Sequence, residues 1–154
     1  MPLNAWPDRA DPLERTMRLA IEDAGLAPSD INVVYASANA TTDLDRCEAG
    51  ALTSLFGGSA TIITAIKGAL GESGVSGALA CAAACLCGRR VPPIAGLSRP
   101  DASTERLRLA SPAKDPNDAN DIIDAPGPLV LVNSFASGGT LYSMLLRAET
   151  RGAP

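Results

Sequence analysis

The hydrophobic positions alternate between helical and strand-like periods along the first half of the chain. Apolar residues recur at helical spacing over 11–24 and over 42–56, and a glycine follows each segment. Short runs rich in β-branched residues over 31–36 and 61–66 predict buried strands. This alternation predicts an α/β fold in which helices form a layer on a sheet.

The segment 77–86 is apolar on every side. A helix with this pattern is expected to be buried all round. An α/β unit of this size has one sheet with which to cover it. We therefore predict that a second apolar face of this helix stays open for another layer, which a partner chain or a second copy would supply.

The last part of the chain is more polar and ends in two predicted strands. Segment 98–121 is a long stretch with several prolines, in which a short strand is predicted around 107–109. Further strands are predicted over 129–134 and 140–147. The glycine-containing turn 135–139 between them predicts a β-hairpin, so the sheet is expected to be mixed.

Composition and charge narrow the classes of function. With 154 residues, 46% hydrophobic and 19% charged, the chain has the size and composition of one globular domain. The net charge is −4, and no basic stripe is available to neutralise phosphates, which argues against nucleic acid as a partner. No segment has the pattern of a signal peptide or the length of a membrane span, so we expect a cytoplasmic protein without membrane contact.

The cysteines and the lack of histidine bear on metal chemistry. Cys81, Cys85 and Cys87 lie in the apolar helical segment, where cysteine behaves as a small buried hydrophobe. Their spacing lacks a second cluster of ligands, and the sequence contains no histidine. We predict no metal site, and no motif indicates a cofactor.

Several short motifs occur in the order and at the spacing of one protein family. They are residues 20–31 (AIEDAGLAPSDI), 45–49 (DRCEA), 56–57 (FG), 64–67 (TAIK) followed by Gly71, 90–93 (RVPP) and 133–139 (NSFASGG). Together they resemble the C-terminal half of the β-ketoacyl synthases over nearly the whole chain.

The resemblance implies the thiolase fold, in which two similar α/β halves pack back to back in five layers. This chain is similar to the second half alone, as a single domain over residues 1–154. The family's nucleophilic cysteine belongs to the first half, which is absent here. Because Met1 lies near the start of the second half, we expect the product of a split gene.

Two departures from the family pattern bear on catalysis. Ser37 stands where the family's H-G-T-x-T loop has its first catalytic histidine, and Glu72 stands where K-x-x-x-G-H has the second. In the family, the two imidazoles support decarboxylation and hold the developing enolate or oxyanion. A carboxylate repels such an anion, and losing one such donor typically costs about a hundredfold or more in rate. We therefore expect a non-catalytic subunit.

Other residues of the family's site are retained or changed. Lys67, Asp45 and Glu48 match a charged network beneath the family's site, which implies either residual catalysis or a buried structural ion pair, such as Lys67 with Glu48. The family's substrate pocket implies a second group: Phe135, Ser137 and Gly138. Ser137 replaces a gating phenylalanine, and its small side chain would widen or abolish that gate.

Residues 43–52 (DLDRCEAGAL) are most similar to chain length factors, the ketosynthase-like subunits that lack the catalytic residues. The resemblance implies a heterodimer with a ketosynthase subunit, or a complex with a chain that supplies the first thiolase half, in polyketide or fatty-acid-type biosynthesis. An acyl carrier protein would be a further partner. A basic patch of Arg89, Arg90 and Arg99 could dock it, unless these are ordinary solvated loop charges.

Three alternatives remain open from the sequence. The chain could contribute Lys67 and Ser37 to a composite active site of a split β-ketoacyl synthase, which would be an acyltransferase that forms C–C bonds. Two copies could instead pack their apolar helices against each other as a self-sufficient binding module. The chain could also be a decayed remnant without function.

Overall fold

The structure is a computed structural model that describes residue 6 and residues 10–111, 123–136 and 139–148. The helices are α1 (Asp11–Asp23), α2 (Thr42–Phe56), α3 (Lys67–Leu70) and α4 (Ser76–Cys87), with 3-10 turns at Pro28–Asp30 and Ala102–Thr104. The strands are β1 (Val33–Tyr35), β2 (Ile62–Thr64), β3 (Arg90–Val91), β4 (Arg108–Leu109), β5 (Ile123–Asp124), β6 (Leu129–Ala136) and β7 (Thr140–Arg147). Within these ranges, every helix is too short or too polar to span a bilayer.

Five strands form one mixed sheet in the order β4-β2-β1-β6-β7, which confirms the predicted α/β class. Strand β1 lies between β2 and β6 and is parallel to both, and β4 is parallel to β2. Strand β7 is antiparallel to β6, with Leu129 opposite Arg147 and Ala136 opposite Thr140, so the predicted hairpin is confirmed. Strands β3 and β5 form a separate antiparallel pair.

The two faces of the sheet carry separate cores. Val34 and Ala36 point toward α1 and α2, while Val33 and Tyr35 point toward α4. This follows from the strand geometry, because successive side chains point to opposite faces. The first core also contains Leu13, Met17, Ile21, Leu44, Leu52 and Phe56, and the second contains Ala80 and Ala84.

Within the part of the chain that the structure describes, helix α4 is covered by the sheet on one side only. Its buried residues Ser76, Ala80 and Ala84 are one turn apart and share one face, whereas Leu86 is 85% exposed. The prediction that this helix is buried all round is therefore wrong for the chain alone, because a single sheet covers a single face. The prediction of an open second apolar face is confirmed.

The exposed surface of α4 continues onto β7. Leu79 and Leu86 are exposed on α4, and Tyr142 and Met144 are exposed on β7. Tyr142 and Met144 alternate in step with Leu146, which packs in the core beneath α4. These four residues therefore lie on the same side of the sheet, and we call this surface the α4 face.

A glycine lets α4 approach the sheet closely. A Cβ atom at Gly77 would lie 2.6 Å from Ser134 Oγ and 2.7 Å from Ser134 Cβ. Both distances are shorter than ordinary van der Waals contact. The glycine at this position therefore sets how near the helix lies to β6.

Candidate functional site

Three of the predicted site residues meet beyond the ends of β1 and β2. Ser37 lies two residues after β1, and Lys67 is the first residue of α3. The Lys67 ammonium lies 3.1 Å from Ser37 Oγ and 2.8 Å from Glu72 Oε2. The two residues predicted to stand at the family's histidine positions are thus bridged by one lysine.

The hydroxyl of Ser37 has all of its hydrogen-bonding capacity in use. It accepts from the Phe135 backbone N–H at 3.0 Å and from Lys67 Nζ at 3.1 Å. It donates to the Phe135 carbonyl oxygen at 3.3 Å. A hydroxyl has one donor and two acceptor sites. The Ser37 hydroxyl therefore has no donor left for an oxyanion.

Glu72 is held in its charged form at the edge of the site. It accepts hydrogen bonds from Lys67 and from Asn39 Nδ2 at 2.9 Å, and its other oxygen accepts from Ser76 Oγ at 3.3 Å. Partial burial acts to raise the pKa of Glu72, but the hydrogen bonds from Lys67 and Asn39 outweigh it and hold the pKa below its ordinary value. The lysine charge is therefore balanced by a carboxylate.

Glu48 lies fully buried beneath the Ser37 loop. Its Oε1 accepts from the Ser37 backbone N–H at 2.9 Å and from Asn133 Nδ2 at 2.9 Å, while Oε2 has no hydrogen-bond partner among the described residues. Burial raises the pKa of Glu48 to about 7, although the hydrogen bonds from Ser37 and Asn133 and the charge of Lys67 act to lower it. The expected ion pair of Lys67 with Glu48 is wrong, because Lys67 pairs with Glu72.

Asp45 and Glu48 have related roles in local structure. The Asp45 side chain accepts the Asn39 backbone N–H at 3.0 Å, and Glu48 accepts that of Ser37. Both carboxylates therefore tie the loop that follows β1 to helix α2. This anchoring gives the two acidic residues a structural role.

Asn133 completes this network, and sequence reasoning did not single it out. It is 2% exposed, donates to Glu48 and accepts from Ser143 Oγ at 2.8 Å. The available signal was an amide side chain that directly follows four apolar residues of a central strand. Such a residue is costly to bury unless its polar atoms find partners.

The predicted substrate-pocket residues are only partly within the described ranges. The Phe135 side chain is 4% exposed and packs in the core on the α1 and α2 side of the sheet. Ser137 and Gly138 lie outside the described residues. A substrate pocket formed by these three residues stays a prediction.

The three arginines of the predicted docking patch differ in their surroundings. The guanidinium of Arg89 donates to the Ala125 carbonyl oxygen at 2.9 and 2.8 Å, which joins the β3 and β5 region. Arg90 and Arg99 are exposed. The role of Arg89 is therefore at least partly structural.

The model of the β-ketoacyl synthase C-terminal domain matches residues 5–97. The chain belongs to the β-ketoacyl synthase C-terminal domain family. Its relatives include the ketoacyl synthase beta subunit of the tetracenomycin polyketide synthase of Streptomyces glaucescens, which is 43% identical over 89 residues. The matched stretch covers 56% of this chain and 22% of that relative, so this ketosynthase domain spans only about a fifth of its length.

Solved structures show that the ketosynthase C-terminal fold extends over nearly the whole chain. The ishigamide ketosynthase/chain length factor superposes with a TM-score of 0.77 at 25% identity, covering 92% of this chain and 34% of that one. A type II polyketide synthase acyl-carrier protein in complex with its ketosynthase gives a TM-score of 0.81 at 22% identity, covering 95% and 35%. These similarities confirm the thiolase-like fold and the resemblance to chain length factors.

Proposed function

We propose that this ketosynthase C-terminal domain is a non-catalytic subunit of the chain-length-factor type. It would complex with a partner ketosynthase, or with a chain that supplies the first thiolase half, in polyketide or fatty-acid-type biosynthesis. The observation that carries the proposal is the saturated hydrogen bonding of Ser37 beside the ion pair of Lys67 with Glu72.

The electrostatics of the site support the non-catalytic part. Stabilising an oxyanion requires preorganised donors that are free to meet the developing charge. Here the Ser37 hydroxyl is saturated, and Lys67 directs its charge to the carboxylate of Glu72. An anion approaching this edge would also meet Glu72, which is half exposed and held in its charged form.

The α4 face supports the partnered part. It exposes four large apolar side chains on one side of the sheet: Leu79, Leu86, Tyr142 and Met144. Contiguous apolar surface of this kind marks an interaction site. The relatives point to the same kind of assembly, since one is named a beta subunit and one solved structure a ketosynthase/chain length factor.

Co-production tests the proposal. The chain is co-expressed with the ketosynthase-like proteins that neighbouring genes encode, including one that provides the first thiolase half. The complex is then purified through a tag on this chain. We expect a stable complex whose mass equals the sum of the chains. A chain that purifies alone as a stable monomer contradicts the proposal, and a mass of twice the chain points to self-pairing.

A second candidate is a composite active site, and one observation favours it. The Lys67 ammonium has three donors, and among the described residues Ser37 and Glu72 use two of them, so the third could bond to a substrate or partner residue that reaches this largely buried side chain. Lys67→Ala and Ser37→Ala in the reconstituted complex separate the candidates. Unchanged turnover per assembled complex supports the non-catalytic role, whereas a loss of about a hundredfold or more supports the composite site.

A further inference from the structure

A cavity of about 350 Å³ lies on the side of the sheet opposite α4. Helix α2, the ends of β1 and β2, and the segment 94–109 enclose it. The wall is largely aliphatic and includes Ala36, Leu52, Ile63, Ala65, Ile94 and Leu107. Its volume and its apolar lining are typical of a small-molecule site.

This cavity lies on the opposite side of the sheet from the α4 face, and it borders the site of Ser37, Lys67 and Glu72, because Asp45 and Glu48 line it. Ser37 bonds to Lys67, and Asn39 bonds to Glu72. The alternate residues of the same loop, Ala36 and Ala38, line the cavity instead. The loop after β1 therefore continues the alternation of the strand and presents its two sides to two different regions. An occupant of the cavity would not compete with a chain docked on the α4 face.

Charged side chains from α2 and from the segment 94–109 also line the cavity. Asp45 accepts the Asn39 backbone N–H at 3.0 Å, and Asp101 accepts that of Ser103 at 2.9 Å, so both carboxylates are engaged by the backbone. The pKa of Asp101 is lowered by its hydrogen bonds with Ser103 and, to a smaller extent, by the charge of Arg46.

Two arginines line the cavity, and the charge of Arg46 acts on Asp101, which leaves Arg99 as the cation for a ligand. Arg99 is exposed and lines the cavity, and no acidic side chain in the described ranges forms an ion pair with it. A guanidinium presents a planar set of donors that matches a carboxylate in bidentate geometry. The cavity thus combines an aliphatic interior with a free carboxylate-binding group.

We propose that this cavity binds a small aliphatic carboxylic acid, with its carboxylate on Arg99 and its tail in the aliphatic interior. Burying the tail supplies most of the affinity, because each methylene removed from water contributes about 0.8 kcal/mol. The ion pair with Arg99 selects the acid over a neutral molecule of the same shape. The proposal does not depend on the partner proposed for the α4 face, because the cavity and the α4 face lie on opposite sides of the sheet.

Octanoate and 1-octanol form a matched pair of probes for the full chain. Binding is followed by the methyl NMR signals of Ile63, Ile94 and Leu107 as each probe is added. We expect saturable shifts with octanoate and binding of 1-octanol that is about tenfold weaker, as expected for loss of a charge-assisted hydrogen bond. Equal affinity for both probes overturns the assignment of the carboxylate to Arg99, and shifts without saturation overturn the site.

Two substitutions with matched controls locate the probe. Arg99→Gln should weaken octanoate binding about tenfold without affecting 1-octanol, while the same change at the exposed Arg15 should alter neither. Ala38→Leu fills the cavity and should weaken both probes, whereas Ala24→Leu on the exposed end of α1 should not. If Ala38→Leu does not fold, Leu97→Phe serves the same purpose. Undiminished binding to the filled variant overturns the proposal.

Discussion

At the residue scale, the side chains of Ser37 and Glu72 both bond to one lysine, Lys67. The sequence motifs predict that Ser37 and Glu72 occupy the histidine positions of the family, and this assignment stays a prediction. They did not predict that both side chains bond to Lys67, because that contact depends on how the loops after β1 and around α3 fold toward each other. For the same reason Glu48 was assigned the wrong partner.

Glu48 should make stability depend on pH. Its pKa rises from an ordinary 4.5 to about 7, so the folded chain favours the protonated form. The contribution of Glu48 to the free energy of unfolding is fully present below about pH 4.5 and is lost as the pH rises to about 7. The free energy of unfolding changes by about 3 kcal/mol at most over this range. Glu48→Gln keeps a neutral side chain and should remove this dependence.

Urea unfolding between pH 4 and 8 checks this expectation. The quantity to compare at each pH is the difference in free energy of unfolding between the wild type and Glu48→Gln. Glu22→Gln changes an exposed carboxyl of α1 and serves as the control. A difference for Glu48→Gln that stays constant across this range would show that the buried carboxyl does not titrate there.

Ser37→Ala should destabilise the chain by about 1–3 kcal/mol, because it leaves the buried Phe135 backbone N–H without its acceptor. Ser98→Ala, at an exposed position, should change the free energy of unfolding by less than about 0.5 kcal/mol. Chemical denaturation of both variants measures the contrast. Equal effects would mean that the Ser37 hydroxyl has no structural role.

At the element scale, periodic patterns with clear stops were predicted best. Helix α2 begins and ends at the predicted residues, and the hairpin strand β7 does as well. Strands β1 and β2 are shorter than their apolar runs, because the sheet pairs only part of each run. The burial of α4 was misjudged, since an apolar pattern shows what a helix can bury and not what the chain provides to cover it.

The close approach of α4 to β6 predicts an unusual response to alanine. In an ordinary helix, replacing glycine with alanine stabilises by up to about 1 kcal/mol. Gly77→Ala should instead destabilise by about 1–3 kcal/mol, because its Cβ would lie 2.7 Å from Ser134 Cβ and one element must move.

Thermal unfolding of Gly77→Ala, compared with Gly74→Ala, tests this contact. A Cβ atom at Gly74 would meet no atom of the described residues within 4 Å, so that variant should unfold close to the wild-type temperature. A stabilised Gly77→Ala would mean that α4 lies farther from the sheet than its glycine indicates.

At the scale of the whole molecule, the described part of the sheet has one face that α1 and α2 cover and one face that α4 covers only in part. Helices α1 and α2 cover one side of the sheet, while the α4 face leaves large apolar side chains in water. The sequence predicted this imbalance from a single apolar segment. It could not predict that β7 extends the open surface, because the exposure of Tyr142 and Met144 follows from the register of the final hairpin.

Leu86→Glu should abolish co-purification with the partner chains or weaken their association at least about tenfold, since it puts a charge into the apolar α4 face. Leu86 is 85% exposed, so the free energy of unfolding of the chain alone should change little. Arg15→Glu, at an exposed residue of α1 on the other side of the sheet, is the control and should bind normally. Retained binding by Leu86→Glu would place the partner elsewhere.

The position of β6 in the sheet has a consequence for biosynthesis. It is the neighbour of β1, although Leu131 and its partner Val34 are far apart in sequence. During translation, β1 and β2 are therefore synthesised well before residues 129–147, with which β1 must pair to complete the sheet. Until those residues are available, the apolar faces of the early strands stay exposed and can bind chaperones.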